Sequence, residues 1–135
     1  MNGPTDFEGI YQIVSQLDEE FRGKYPYFRL AFLTLSSAIT QADERDAMNF
    51  FQRVVNRLRQ TKVVSVMALE RGMHTDQTLE ALEHMVDGAI HFKSEKQKTL
   101  LQVAGLGEVQ THDWVPYKFT NKALIIGSFQ LERIR

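Results

Sequence analysis

With 135 residues, 43% of them hydrophobic and 24% charged, the chain has room for one ordinary domain. Its 16 basic and 17 acidic residues leave a formal net charge of −1, which disfavours a strongly basic nucleic-acid binder. The lack of cysteine excludes a disulfide framework, a thiol nucleophile and a thiolate metal site. No apolar run is long enough for a membrane helix. The opening Met1-Asn2-Gly3-Pro4 lacks the basic start and apolar stretch of a secretory leader, so the expected compartment is the cytoplasm.

The first periodic segment runs from about Asp6 to Arg22, with Phe7, Ile10, Ile13, Val14, Leu17 and Phe21 at helical spacing. Thr5 or Asp6 is its expected cap, Gly23 its expected end, and Pro26 blocks continuation. Arg29 to Leu35 is short and mostly apolar, the pattern of a strand buried on both faces, and Ser36, Ser37 and Thr40 mark a loop after it. Asp43 or Asp46 caps a second helix, Glu44 to Gln60, whose apolar face is Ala47, Phe50, Phe51, Val54, Val55 and Leu58. Arg53, Arg57, Arg59 and Lys62 collect near its end and suit a solvated, dipole-favoured position.

Val63 to Leu69 is the second buried-strand candidate, closed by Glu70-Arg71-Gly72. Thr75 or Asp76 starts a third helix to Met85, although Thr78 stands where a capping box wants Glu or Gln. Asp87-Gly88 is a turn signal, and Gly88 to Lys93 reads as a third strand. Thr99–Val103, Trp114–Phe119 and Ala123–Phe129 come next as further strands, joined by the polar turns at 95–98 and 120–122. The expected fold is α/β: a three-layer arrangement with a parallel βαβαβ core and an antiparallel C-terminal extension, in a single domain over 1–135.

Three stretches carry a family resemblance. Arg29-Leu30-Ala31-Phe32-Leu33-Thr34-Leu35-Ser36-Ser37 resembles a Walker B strand with its following serines. Val64-Ser65-Val66-Met67-Ala68-Leu69-Glu70 is similar to the next strand, and Met85-Val86-Asp87-Gly88-Ala89-Ile90-His91-Phe92 to the segment beyond it. Together they resemble the C-terminal half of a RecA-like ATPase core, in the KaiC-like branch found widely in archaea. The chain departs from that pattern where phosphate is handled. It has no G-x-x-x-x-G-K-[ST] loop. Leu33 stands in place of the Walker B carboxylate, and an apolar side chain cannot orient water on Mg²⁺. Ala104 and Leu106 stand where the family carries cationic finger residues. The resemblance therefore implies a degenerate domain that binds no cofactor and catalyses nothing. As an interaction or regulatory subunit, it would assemble with its own copies or dock on a complete ATPase. A recombinase-paralogue role with nucleic acid, a small enzyme, and an ATP site shared with another chain are the alternatives.

The residues that ligand or interface chemistry would use are Ser36, Ser37, Glu70, Arg71, His74, His112 and Asp113. His74 follows a strand's carboxyl end, the ligand side of an open α/β sheet. Ser36 and Ser37 follow another strand but lack a nucleophile elbow. His112-Asp113 would be an oriented base, or simply a polar turn before Trp114. Glu70 is expected to pair with Arg71 or a neighbour. His91 belongs to a strand and suits a sheet edge or core. Gly105 and Gly107 precede no helix and are expected to be bend glycines.

Overall fold

A computed structural model describes residues 3, 5–107 and 113–127. It divides into two compact units, Met1–Met85 and Val86–Arg135.

The first unit opens with helix α1, Phe7–Lys24, capped by the Asp6 carboxylate, which accepts from the Gly9 N–H at 3.0 Å. The helix runs through Gly23, the expected stop, and ends at Tyr25, which is extended at φ −130° and ψ 144°. Pro26 supplies the reason: its ring forces the residue before it out of the helical region. The inward face also differs from the expected one. Phe7, Ile10, Tyr11 and Val14 pack inward and Asp18 is buried, whereas Ile13 and Leu17 are exposed.

Strand β1, Arg29–Phe32, is shorter than expected, because a helix, α2, begins at Leu35 and runs to Gln41. The Ser36, Ser37 and Thr40 region is therefore helical rather than a loop. Leu35, Ala38 and Ile39 explain it: they bury one face at helical spacing, which outweighs the loop preference of the serines. The Thr40 hydroxyl donates back to the Ser36 carbonyl at 3.0 Å.

Helix α3, Glu44–Arg59, is capped by Asp43. All six residues of its expected apolar face are buried. Phe50, Val54 and Leu58 form the core of the unit, packed by Phe7, Ile10 and Val14 from α1 and by Leu30 and Phe32 from β1. Phe50 stacks on Phe7 with ring centres 4.7 Å apart.

Strand β2, Val64–Met67, pairs in parallel with β1, with Arg29 opposite Val64 and Phe32 opposite Met67. Expected burial on both faces is not found. Leu30, Phe32 and Met67 turn towards α3, while Leu33, Val64 and Val66 are 69%, 53% and 62% exposed. A 3-10 turn, Arg71–Met73, leads to helix α4, Asp76–Met85. Thr75 caps it, accepting from the Thr78 N–H at 3.2 Å. Thr78, unable to complete a capping box, donates its hydroxyl to Glu44 on α3 instead.

The second unit is an antiparallel sheet of β3 (Ala89–Glu95), β4 (Lys98–Ala104), β5 (Val115–Phe119) and β6 (Leu124–Ile126), in that order. β3 was the expected third parallel strand of a βαβαβ core. It pairs antiparallel with β4 over seven residues, from Ala89–Ala104 to Glu95–Lys98. The turn decides this: Lys96 and Gln97 both take positive φ, 46° and 64°, the two-residue hairpin geometry that matches strand twist. The observed class is mixed α/β with a two-stranded parallel sheet and a separate four-stranded antiparallel one. Ladders of local pairs hold the second sheet, including Phe92 edge-on to Tyr117 and Lys93 over the Trp114 ring. Gly88 is required by close approach: a Cβ there would come within 2.8 Å of the Ala104 carbonyl. Gly105 and Gly107 sit at φ +77° and +63°, the bends expected of them.

Candidate functional site

β1 and β2 run parallel, so the segments that leave their carboxyl ends gather at one end of the pair. Ser36 enters from the first turn of α2, and Glu70 and His74 from the segment after β2. The Ser36 hydroxyl, 5% exposed, accepts the Glu70 backbone N–H at 2.7 Å and lies 2.8 Å from His74 Nε2. A hydroxyl can both donate and accept, so this contact joins the serine to the imidazole in either tautomer. Three of the seven residues singled out from the sequence thus meet at the carboxyl end of the strands, where open α/β sheets place ligands.

The spacing is that of a nucleophile and its base. The surroundings are not. A lone pair of Ser36 is already engaged by a backbone N–H, the hydroxyl is buried, and among the described residues no carboxylate orients His74. The chemistry of this arrangement is a cross-tie between the β1–α2 and β2–α4 connections. Glu70 joins it through its backbone; its carboxylate makes no ion pair among the described residues, where one with Arg71 or a neighbour was expected. Ser37 is half-buried in α2, and Arg71 is exposed in the 3-10 turn. Asp113 is exposed in the second unit, and His112 lies outside the described residues. His91 is half-buried on β3, the outer strand of its sheet.

The opposite end of β1 and β2 carries a second polar group, one absent from the candidates the sequence suggests. Asp18 is fully buried on α1. One carboxylate oxygen lies 2.6 Å from Arg22 Nη2 and 3.2 Å from Arg57 Nη2 on α3, while the other has no hydrogen-bond partner among the described residues. Arg57 also reaches the Ser15 carbonyl and Glu19, both at 3.3 Å. Burial is the largest influence on the Arg57 guanidinium and opposes its charge. The hydrogen bonds with Tyr11 and Glu19 and the charge of Asp18 outweigh it, so its pKa lies above the ordinary arginine value. Farther along the same helices, Arg53 donates to Glu8 at 2.9 Å and covers the Tyr11 ring at 4.1 Å. Hydrogen bonding and charge from Arg53 lower the Glu8 pKa.

The expected solvated basic helix end is therefore divided. Arg53 and Arg57 tie α3 to α1, and Lys62 lies in the loop before β2. Asp18 was legible in principle: Val14, Asp18 and Phe21 share the face that Phe7 and Ile10 begin, and Arg22 is one turn on. Beside this network is a cavity of about 330 Å³ whose walls include Asp18, Arg22, Tyr25, Tyr27, Phe28 and Lys62.

Residues 1–100 match the model of a family described as a family of unknown function, DUF7090. The chain belongs to the DUF7090 family. The matched stretch contains both polar groups of the first unit, Ser36–Glu70–His74 and Asp18–Arg22–Arg57, and, of the second, β3, its tight turn and the start of β4. In this DUF7090 member β5 and β6 lie beyond the matched residues. No curated protein matches the chain. Among the described residues, no three His, Asp or Glu side chains gather as a metal site would need, and no helix is long and apolar enough to cross a membrane.

Proposed function

We propose that the chain is a reduced RecA/KaiC-like domain acting as a non-catalytic interaction or regulatory subunit, and that its partner is a second copy of itself. A complete ATPase of the same architecture would be gripped through the same face. The reading is supported by the surface that the parallel pair leaves uncovered. One face of β1 and β2 packs on α3; the other presents Ala31, Leu33, Val64 and Val66. Among the described residues each strand also has one edge without a neighbour. A two-stranded sheet with an open apolar face and open edges is a template for further pairing. The loss of the phosphate-handling residues fits the same picture, since Leu33, standing in the carboxylate position, is part of that face. A net charge of −1 offers little repulsion between copies. The buried Ser36–His74 tie supports a structural role at the strand ends, as an ATP-independent scaffold would need.

Light scattering on the eluting full chain, over a range of concentrations, tests the proposal. Dimers or larger species are expected for the native chain, with Val66→Lys shifted to the monomer. A native chain that stays monomeric at high micromolar concentration overturns the self-association. Turnover of ATP by the purified chain alone overturns the non-catalytic reading.

A further inference from the structure

The cavity beside Asp18 has no part in the proposed assembly and stands or falls independently of it. Its volume of about 330 Å³ is in the range of small-molecule sites. It lies at the amino ends of β1 and β2, between the 25–28 and 60–62 segments. Its walls are of two kinds. Tyr25, Tyr27 and Phe28 supply aromatic rings, and both tyrosines are exposed; Arg29 lies over one face of Tyr27 at 5.0 Å, and Phe21 meets Tyr25 and Phe28 edge-on. Arg22 and Lys62 supply positive charge. Asp18, entirely buried, pins one edge of the Arg22 guanidinium at 2.6 Å, which sets the direction of the remaining N–H donors. The Asp18 charge is shared by Arg22 and Arg57, and Lys62 makes no ion pair among the described residues. The cavity is therefore positive on balance, which rules against a cationic guest for its aromatic wall.

We propose that this cavity binds a small anion that carries a flat ring, of the nucleoside monophosphate class. The phosphate meets Arg22 and Lys62, because a pinned guanidinium and a separate ammonium suit a tetrahedral oxyanion. The ring lies against Tyr25 or Tyr27, because every base presents a face for stacking whatever its edge. The same chemistry is offered by a free nucleotide and by a nucleotide unit of a single strand.

The test is fluorescence anisotropy at low salt, with the full chain titrated into ethenoadenosine monophosphate and, separately, into an end-labelled oligothymidylate. Binding of either is expected, and the tighter of the two identifies the source. Lys62→Ala is expected to weaken it by about tenfold, the worth of one charge-assisted hydrogen bond. Its thermal unfolding should match the native chain, since Lys62 has no ion pair to lose among the described residues. Of Tyr25→Ala and Tyr27→Ala, made singly, the one that removes the stacking ring should weaken binding to a similar degree, and unchanged binding in both would overturn the aromatic half of the site. Arg71→Ala, at the other end of the strands, should leave it unchanged. The proposal is overturned if neither probe binds at millimolar concentration. It is equally overturned if Arg71→Ala weakens binding as much as Lys62→Ala, which would mean diffuse charge. Inorganic phosphate competing as well as the nucleotide would remove the ring from the site.

Discussion

Asp18 concentrates the electrostatics of the first unit in one side chain. A fully buried carboxylate is tolerable because two guanidinium groups meet it, one from its own helix and one from α3. Asp18→Ala would leave Arg57 facing a void, with Tyr11, Glu19 and the Ser15 carbonyl as its remaining partners. Arg22 is largely exposed and would turn to water. A loss of about 2 kcal/mol is expected in chemical denaturation, below the full cost of breaking a buried pair because both arginines retain some solvent. A variant as stable as the native chain would show that the pair is incidental. Glu8 adds a pH dependence of definite sign. Its pKa is lowered from the ordinary 4.5 by hydrogen bonding and charge from Arg53. The native state therefore favours the ionised form more than the unfolded chain does. The stabilisation is complete above the ordinary value and is lost as pH falls through the lowered one. Melting temperature across that acidic window should fall less steeply in Arg53→Gln than in the native chain; equal slopes would dismiss the pair.

At the scale of elements, α3 organises the first unit. Its apolar face repeats at 3.6-residue spacing without interruption, so six side chains are buried, and three of them, Phe50, Val54 and Leu58, pack against α1 on one side and β1 and β2 on the other. Phe50 is the central contact, stacked on Phe7 and tilted against Phe32 at 6.2 Å. Phe50→Ala should cost about 3–5 kcal/mol, against less than about 0.5 kcal/mol for exposed Gln52→Ala on the same helix. Comparable midpoints for the two variants in urea would contradict the packing described. α1 and α2 show where local preference yields. Gly23 does not end α1, because Pro26 acts two residues later on Tyr25. Ser36, Ser37 and Thr40 do not make a loop, because Leu35, Ala38 and Ile39 gain more by burial as a helix.

For the molecule as a whole, the uncovered face of the parallel pair sets the expected behaviour. The proposed association through Leu33, Val64 and Val66 would be apolar, so an assembly held by it should persist or strengthen in high salt when followed by light scattering, whereas a charge-driven complex would dissolve. Dissociation by salt would direct attention away from this face. Helices α1, α3 and α4, the whole of the α3 core face and both tight turns of the second sheet were legible in the residues themselves, and the Asp6, Asp43 and Thr75 caps each as one of two candidates, because spacing, caps and turns are local properties; α2 was not, since its helix depends on what Leu35, Ala38 and Ile39 bury against. Three matters were not local. The buried role of Asp18 needed an arginine from a helix some forty residues away. The meeting of Ser36 with His74 needed β1 and β2 side by side. The partner of β3 was decided by competition: a seven-residue ladder closed by a two-residue turn costs little chain entropy, while joining the parallel pair requires a long crossover. The chain by itself therefore determined most of the helices and strands and the inward face of α3. Tertiary structure alone decided which strands pair and which charges are buried together, because those depend on contacts between residues far apart in sequence.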